Sequence, residues 1–324
     1  MESKLISNFL NEITFIDGCI VENDYIYLAS FADEYDPNEH VFSRLFAYIG
    51  RLDDKWFHHD TKSNVVSVCV KKATATEGRR LCALSKEGEV EIYSNKDGSS
   101  ITEKIPESGL RLGSRGYLTQ IREIGDTLFA CGANDQVYRH HDGGWVLITS
   151  SPLQILNALD PNYGVLNSID GNNENDIYVC GFDGRLFHFD GKNWKKIPLQ
   201  TDEHLNYVKC ISADEVWICG YNGTLLKGNV KTGFQDISTV DDNFTFWSLA
   251  KFGESVYLST ANQGLFVYDG MSIKKVYTGL EPEIDTYKLD ANEQTIWSFG
   301  TKDLSFFDGN KWTRIDHPDN PPIR

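Results

Sequence analysis

Short apolar runs, separated by turns rich in glycine and aspartate, recur along most of the chain. The segments Asp176–Leu186 (DIYVCGFDGRL) and Glu215–Leu225 (EVWICGYNGTL) share nearly the same pattern, and weaker copies lie at Thr127–Gly132, Ser255–Thr260 and Thr295–Gly300. The aligned positions are Gly132, Gly181, Gly220, Thr260 and Gly300, which are 49, 39, 40 and 40 residues apart. The chain is therefore a repeat of one strand-rich unit of about 40 residues.

The clearest unit predicts four strands, Val165–Asp170, Asp176–Gly181, Arg185–Phe189 and Trp194–Ile197. Asp-Gly turns precede the third and fourth strands, and such turns favour hairpins because glycine accepts a positive φ. The second strand is apolar on both faces, as a sheet packed between two neighbouring sheets requires. Four-stranded units with this period are typical of β-propeller blades.

The number of units predicts the architecture. Copies of the second strand are centred at Tyr27, Cys82, Phe129, Tyr178, Trp217, Tyr257 and Trp297. Seven units of about 40 residues need roughly 280 residues, and the 324 residues of the chain leave room for long loops such as Phe31–Ser43. We expect an all-β fold, a seven-bladed β-propeller of four-stranded blades, as one domain over residues 1–324. The N-terminal segment 1–12 is expected to join the last blade and close the ring, or to be only partly ordered; Glu2–Asn11 and Leu153–Leu159 are the only candidate helices.

Charge and hydropathy limit the partners. No apolar stretch approaches the ~20 residues of a membrane span, and the N-terminus lacks the features of a signal peptide. These features predict a cytoplasmic protein without a membrane partner. The 47 acidic and 31 basic residues give a net charge of −16. A chain this acidic repels the phosphate backbone, which argues against a nucleic-acid ligand.

The candidate chemical groups do not form a recognisable site. Cys131, Cys180 and Cys219 share one repeat position, and a small apolar filler explains them better than a metal site, since no Cys-x-x-Cys motif is present. His58-His59-Asp60 and His140-His141-Asp142 contain adjacent side chains that point to opposite faces of a strand. Motifs of nucleophilic, phosphate-binding or dinucleotide-binding sites are absent. The sequence therefore predicts no catalytic residue, no metal and no cofactor.

Acidic residues are concentrated in loops that a propeller places on one face, those from strand four to the next strand one and from strand two to strand three. The predicted partner-binding residues are Asp33, Glu34, Asp36, Asp202, Glu203, Asp241, Asp242, Glu281, Glu283 and Asp285, with the aromatic residues Tyr207, Trp247 and Tyr287. Aromatic side chains beside charges are typical of protein-binding patches. A solvated acidic surface above core aromatics is the alternative.

The repeat Asp-Ile/Val-Tyr/Trp-x-Cys-Gly-x-x-Gly-x-Leu, followed by Asp-Gly-x-x-Trp, resembles bacterial β-propeller repeats. The resemblance covers about Tyr117–Ile315 well and the first two blades poorly. The Gly-His and Trp-Asp pairs of WD repeats and the Ser-x-Asp-x-Gly-x-Thr-Trp box of sialidases are both missing. The resemblance implies the fold, whereas such propellers serve as binding platforms, assembly factors and occasional enzymes.

Three functions are compatible with these features. An acidic cytoplasmic propeller without a catalytic constellation resembles the immunity proteins that neutralise toxins of neighbouring cells, so the first is a non-catalytic protein that binds and blocks a basic toxin domain. The second is a scaffold or assembly factor. The third is a propeller that binds a carbohydrate or small ligand, or an enzyme, using its central depression. The free protein is expected to be a monomer.

Overall fold

A ring of seven four-stranded blades makes up the fold. The computed structural model describes residues 12–36, 39–75, 77–94, 96–149, 164–238 and 244–324. Within these residues the chain forms 28 β-strands and no helix, and the strands form seven antiparallel sheets of four consecutive strands each. The predicted all-β, seven-bladed propeller is confirmed. The two candidate helices lie outside the described residues.

The strands follow one another in blade order, with strand one innermost. The first three blades contain β1 (Ile13–Glu22), β2 (Tyr25–Ala32), β3 (Ser43–Ile49), β4 (Trp56–Thr61), β5 (Val65–Lys71), β6 (Arg80–Ser85), β7 (Glu89–Tyr93), β8 (Ser100–Lys104), β9 (Leu118–Ile124), β10 (Thr127–Gly132), β11 (Val137–His141) and β12 (Gly144–Leu147). The fourth and fifth contain β13 (Leu166–Asn173), β14 (Asp176–Gly181), β15 (Leu186–Phe189), β16 (Trp194–Lys196), β17 (Leu205–Ser212), β18 (Glu215–Gly220), β19 (Leu225–Asn229) and β20 (Gly233–Asp236). The last two contain β21 (Ser248–Phe252), β22 (Ser255–Ser259), β23 (Leu265–Tyr268), β24 (Ile273–Lys275), β25 (Lys288–Ala291), β26 (Ile296–Phe299), β27 (Leu304–Phe307) and β28 (Trp312–Ile315).

The repeated glycine is needed because strand one passes close to the end of strand two. A Cβ atom at Gly181 would lie 1.9 Å from the carbonyl oxygen of Val165, a separation that van der Waals contact forbids. Blade six has Thr260 at this position, and there the innermost strand pairs only as far as Ser248 with Ser259. The threonine therefore has the space it needs, and its hydroxyl donates to the Gly264 carbonyl at 2.6 Å.

The cysteines of the repeat are core residues. Cys131, Cys180 and Cys219 are each 0% exposed, and all seven cysteines of the chain are free thiols. Burial raises the pKa of the Cys131 thiol to about 12, so this side chain is an uncharged apolar group at neutral pH. The burial of these side chains agrees with the predicted role of a small apolar filler between blades.

Neighbouring blades are linked at the ring centre by hydrogen bonds from backbone to side chain. The N–H of Val68 donates to Asp17 of the preceding blade at 2.8 Å, and the N–H of Ile169 donates to Gln120 at 2.7 Å. Corresponding bonds join Ile121 to Ser67, Val208 to Ser168, and Leu289 to Ser248. At five of the seven blade junctions, a polar side chain of one inner strand thus satisfies a buried donor of the next blade.

Ring closure joins blade seven to blade one through β1 and the C-terminal segment. The N–H of Phe15 donates to the Thr301 carbonyl at 2.8 Å, and the N–H of Ile13 donates to the Asn320 side chain at 2.9 Å. Of the segment expected to close the ring, only Glu12 is described, and it accepts a hydrogen bond from Lys302 at 2.9 Å; residues 1–11 lie outside the described residues. The prediction did not anticipate the part played by the C-terminal segment.

Candidate protein-binding face

The loops from strand four to the next strand one and from strand two to strand three meet on one side of the ring, called here the loop face. The N–H of Gly184 donates to the Glu203 carbonyl at 3.0 Å, and the N–H of Gly223 donates to the Phe244 carbonyl at 2.6 Å. These bonds fix loops of neighbouring blades against each other. Because the predicted partner-binding residues come from these loops and the adjoining strand ends, the loop face is the candidate site.

The predicted carboxylates differ in exposure and in their contacts. Glu34, Asp36, Asp202 and Glu281 are exposed. Contacts within the protein join Asp33 to Lys302, Glu203 to Asn222, Glu283 to Lys275, and Asp285 to Thr301. Asp241 and Asp242 lie outside the described residues.

The contacts that these carboxylates make within the protein differ in how much they hold the loops in place. The pair of Lys275 and Glu283, 2.8 Å apart, has both side chains about half exposed, and such surface pairs contribute roughly 0–1 kcal/mol. It can therefore exchange partners at little cost. Asp285 instead accepts the N–H of Thr301 at 2.7 Å, which makes its carboxylate part of the loop structure.

A continuous row of five rings crosses the loop face from blade four to blade seven. This aromatic row consists of Phe182, His204, Tyr221, Trp247 and Tyr287, with successive ring centroids 4.3, 5.2, 5.8 and 5.8 Å apart. Trp247 is 36% exposed and Tyr287 is 40% exposed. Rings that support one another in this way lose little conformational freedom when a partner covers them.

Sequence reasoning found only two members of the aromatic row, Trp247 and Tyr287. It missed His204 and the two rings that come directly after a repeat glycine, Phe182 and Tyr221. The signal for those two was present, since both occupy the same position of neighbouring repeats and lead into an x-Gly turn. An aromatic residue at the same loop position in two adjacent blades indicates rings that lie side by side.

Tyr207 lies at the ring centre rather than on the loop face. It is only 4% exposed, its hydroxyl accepts a hydrogen bond from Arg122, and the Lys288 ammonium lies 5.3 Å from its ring centroid. Its inward direction follows from the inner-strand position, which in other blades holds the polar residues that link the blades. Tyr207 is therefore a buried member of the predicted partner-binding set, whereas Trp247 and Tyr287 are accessible to solvent.

The ring centre holds paired charges. Burial alone would lower the pKa of the Arg122 guanidinium, but the nearby Tyr207 and Asp170 raise it overall. Burial alone would likewise lower the pKa of Lys288, but Asp17, whose carboxylate lies 2.8 Å from the ammonium, and Tyr207 together raise it overall. The central depression, where one alternative function placed a small polar ligand, thus contains the Lys288–Asp17 ion pair and the Arg122 guanidinium beside Tyr207.

A rigid apolar loop tip on the loop face was not predicted. Leu110 is 59% exposed and Leu112 is 106% exposed, yet the surrounding backbone is fixed. The N–H of Gly109 donates to the Gly116 carbonyl at 2.9 Å, and the N–H of Leu110 donates to the Glu87 carboxylate at 2.9 Å. Apolar side chains held out by an ordered loop are typical of a binding element.

The two His-His-Asp motifs of the sequence form separate side-chain pairs. His59 contacts Glu91 at 3.0 Å and His140 contacts Glu103 at 3.2 Å. Among the described residues, no group of three or more His, Cys, Asp and Glu side chains is arranged to hold a metal ion. In the same part of the chain, no helix is long and apolar enough to cross a membrane.

The fold and the loop face define the class of this protein: a seven-bladed β-propeller that presents carboxylates, a row of aromatic rings and an apolar loop tip on one side. The chain is similar to the immune protein Tsi7 of Pseudomonas aeruginosa. The two are 28% identical over 315 residues, which cover 97% of this chain and 99% of that protein. No protein-family model matches the chain.

Solved structures with this fold have different titles and low sequence identity. The structure of YCF48 bound to D1 peptide has a TM-score of 0.65 and 12% identity, and it covers 95% of this chain and 93% of that chain. Virginiamycin B lyase from Staphylococcus aureus, solved with quinupristin, has a TM-score of 0.67 and 9% identity, with 89% of this chain and 92% of that chain covered. These likenesses show the fold alone.

Proposed function

We propose that this protein is an immunity protein that binds a toxin domain with its loop face and blocks it without catalysing a reaction. The similarity to the immune protein Tsi7 carries the proposal, because it extends over nearly the full length of both chains. A match of that extent spans the whole ring of blades rather than one shared segment. The proposal includes a monomeric state and a cytoplasmic location.

The charge of the loop face supports a basic partner. The chain has a net charge of −16, and Glu34, Asp36, Asp202 and Glu281 are exposed on three parts of the loop face. A field of one sign speeds the encounter with an oppositely charged protein. Lysine and arginine side chains of that partner would also find favourable positions over the aromatic row.

Reversing these four carboxylates to lysine should slow association with the toxin domain. The candidate partner is the product of a toxin gene adjacent to the gene for this protein, and the rate is measured by stopped-flow fluorescence at low and raised salt. We expect roughly tenfold slower association at low salt, with the difference shrinking as salt screens the charges.

Four carboxylates on the opposite face provide the matched control, namely Asp53, Asp54, Glu254 and Glu293, which are all exposed. Each reversal adds two charge units, so four reversals take either variant from −16 to −8. Equal slowing in both variants would show that only the overall charge matters. No binding of the toxin domain by the unaltered protein would refute the proposed function itself.

Truncating Trp247 to alanine should speed dissociation rather than slow association. Trp247 contacts both Tyr221 and Tyr287, so its loss leaves a gap in the aromatic row between these two rings. Interface tryptophans of this kind cost about 2 kcal/mol or more when truncated, which corresponds to roughly 30-fold faster dissociation. Met271→Ala is the control, because Met271 is 80% exposed in a hairpin on the opposite face; equal off-rates for the two variants would contradict a role for the row.

A further inference from the structure

Six of the seven blades use a large apolar residue near the start of strand four to pack against the preceding blade. These residues are Trp56, Trp145, Trp194, Phe234, Ile273 and Trp312. Each pairs with the corresponding residue of strand three, as Trp145 does with His140 and Trp312 with Phe307. The outer part of each of these blade interfaces is therefore filled.

Blade two has a serine at this position. Ser100 pairs with Tyr93, which is the strand-three position occupied by His140 in blade three. Its hydroxyl donates to Glu91 at 2.9 Å, and no residue of β8 belongs to the apolar cluster between blades one and two. The interface between these two blades thus lacks the bulky side chain found in the other six.

A cleft lies at this interface, lined in part by Tyr93, the strand-three partner of Ser100. It has a volume of about 350 Å³, and its walls include Tyr25, Tyr27, Leu45, Phe57, Leu81 and Tyr93. Leu45 and Leu81 are 1% and 2% exposed, whereas Phe57, at 46%, is accessible to solvent. A concave site with mostly apolar and aromatic walls is typical of a pocket for a small molecule.

One polar group in the wall has no partner. Tyr27 is 2% exposed, and within the described residues its buried hydroxyl makes no hydrogen bond. Such groups are rare in folded proteins, since leaving a buried hydroxyl unpaired costs the free energy of its lost hydration. The cleft therefore combines an apolar volume with a wall residue whose buried hydroxyl is unpaired.

We propose that this cleft binds a small bicyclic aromatic molecule of the indole class. Four of the six equivalent positions are filled by tryptophan indoles, so the fold provides space for a flat ring of this size between blades. Two of those indoles also have polar partners: the Trp145 N–H donates to Glu103 at 2.8 Å and the Trp194 N–H to the Ile148 carbonyl at 3.1 Å. In the cleft the hydroxyl of Tyr27 supplies the partner. This site is separate from the loop face and does not depend on the proposed function.

The test is a titration of the full-length protein with indole, in which binding is measured by calorimetry and by chemical-shift changes in NMR spectra. We expect saturable binding at one site with a dissociation constant of roughly 0.1–1 mM, as for small ligands of this size. Ser100→Trp restores the missing ring and should weaken binding by about tenfold or more, since the pocket is then filled. Tyr27→Phe should weaken binding about threefold to tenfold through the lost hydrogen bond.

Ile101→Trp is the matched control, because Ile101 is the next residue of β8, lies on the opposite face of that strand and is 56% exposed. It adds the same ring without entering the cleft and should leave indole binding unchanged. If Ser100→Trp fails to fold, as judged by circular dichroism, Ser100→Leu fills part of the space and is expected to weaken binding less. The proposal is overturned if the unaltered protein shows no saturable binding at millimolar indole, or if filling position 100 leaves the affinity unchanged.

Discussion

Replacing Arg44 by alanine is expected to destabilise the fold by about 3–5 kcal/mol, because the variant loses the charge-assisted hydrogen bonds of a buried side chain and leaves a cavity in its place. The Arg44 side chain is only 2% exposed. Its guanidinium donates to both carboxylate oxygens of Asp60, at 2.6 and 2.9 Å, and lies 3.9 Å from Asp319 of the C-terminal segment. The alanine variant leaves both carboxylates without their shared cation and also leaves a cavity. The measurement is urea unfolding followed by fluorescence.

Arg51→Ala is the comparison for this experiment. Arg51 also pairs with two carboxylates, those of Glu22 and Asp24, but its side chain is 50% exposed. Exposed pairs of this kind contribute little because water and salt screen them. A loss for Arg44→Ala no larger than for Arg51→Ala would contradict the assignment of Arg44 as the cation that holds the C-terminal segment to blade one.

Acid is expected to weaken the same junction through His317. This residue is 4% exposed and lies among the rings of Phe15, Phe46 and Trp56. Burial, assisted by the positive charges of His58 and Arg44, lowers the pKa of His317 to about 3. In the unfolded chain His317 binds a proton near pH 6.5, whereas in the folded chain it does so only near pH 3. The stabilisation that the buried, neutral His317 contributes is therefore fully present above pH 6.5 and is lost as the pH falls toward 3. The loss is on the order of 5 kcal/mol.

His317→Phe separates this contribution from the titration of carboxylates. The variant keeps an aromatic ring in the pocket but cannot be protonated, so its free energy of unfolding should fall less steeply between pH 6.5 and 3 than that of the unaltered protein. His141→Phe, at a site where the side chain is 64% exposed, should leave the slope as it was. Parallel pH profiles for all three proteins would contradict the role of His317.

The blade pattern was predictable from sequence because it depends on local rules that every repeat obeys. The predicted second strand Asp176–Gly181 coincides with β14, since its apolar run ends at a glycine that the fold requires. The preceding strand was predicted to end at Asp170 but continues to Asn173. Backbone pairing there passes through a register shift at Gly171, which shows that ladder hydrogen bonds can extend through polar residues.

The details of the candidate site depend on tertiary contacts that cannot be inferred from the repeat pattern of the sequence. Tyr207 follows a register shift between Leu205 and Tyr207, and a shift of one residue decides whether a side chain faces outward or toward the ring centre. The contact between Ile13 and Asn320 spans almost the whole chain, and nothing in either local sequence indicates the other. Pattern analysis therefore located the loop face but could not say which of its side chains are available.

The closure of the ring has a practical consequence for any assay of binding. Ile13 and Asn320 are joined by a hydrogen bond of 2.9 Å. The neighbouring hydrogen bond from Phe15 to Thr301 places this closure of the ring at the loop face. A fluorescent protein or affinity tag inserted next to either residue would lie on the side that the partner is expected to cover. A probe attached in the hairpin between β27 and β28, for example at Asn310, would extend from the opposite face and leave the aromatic row uncovered.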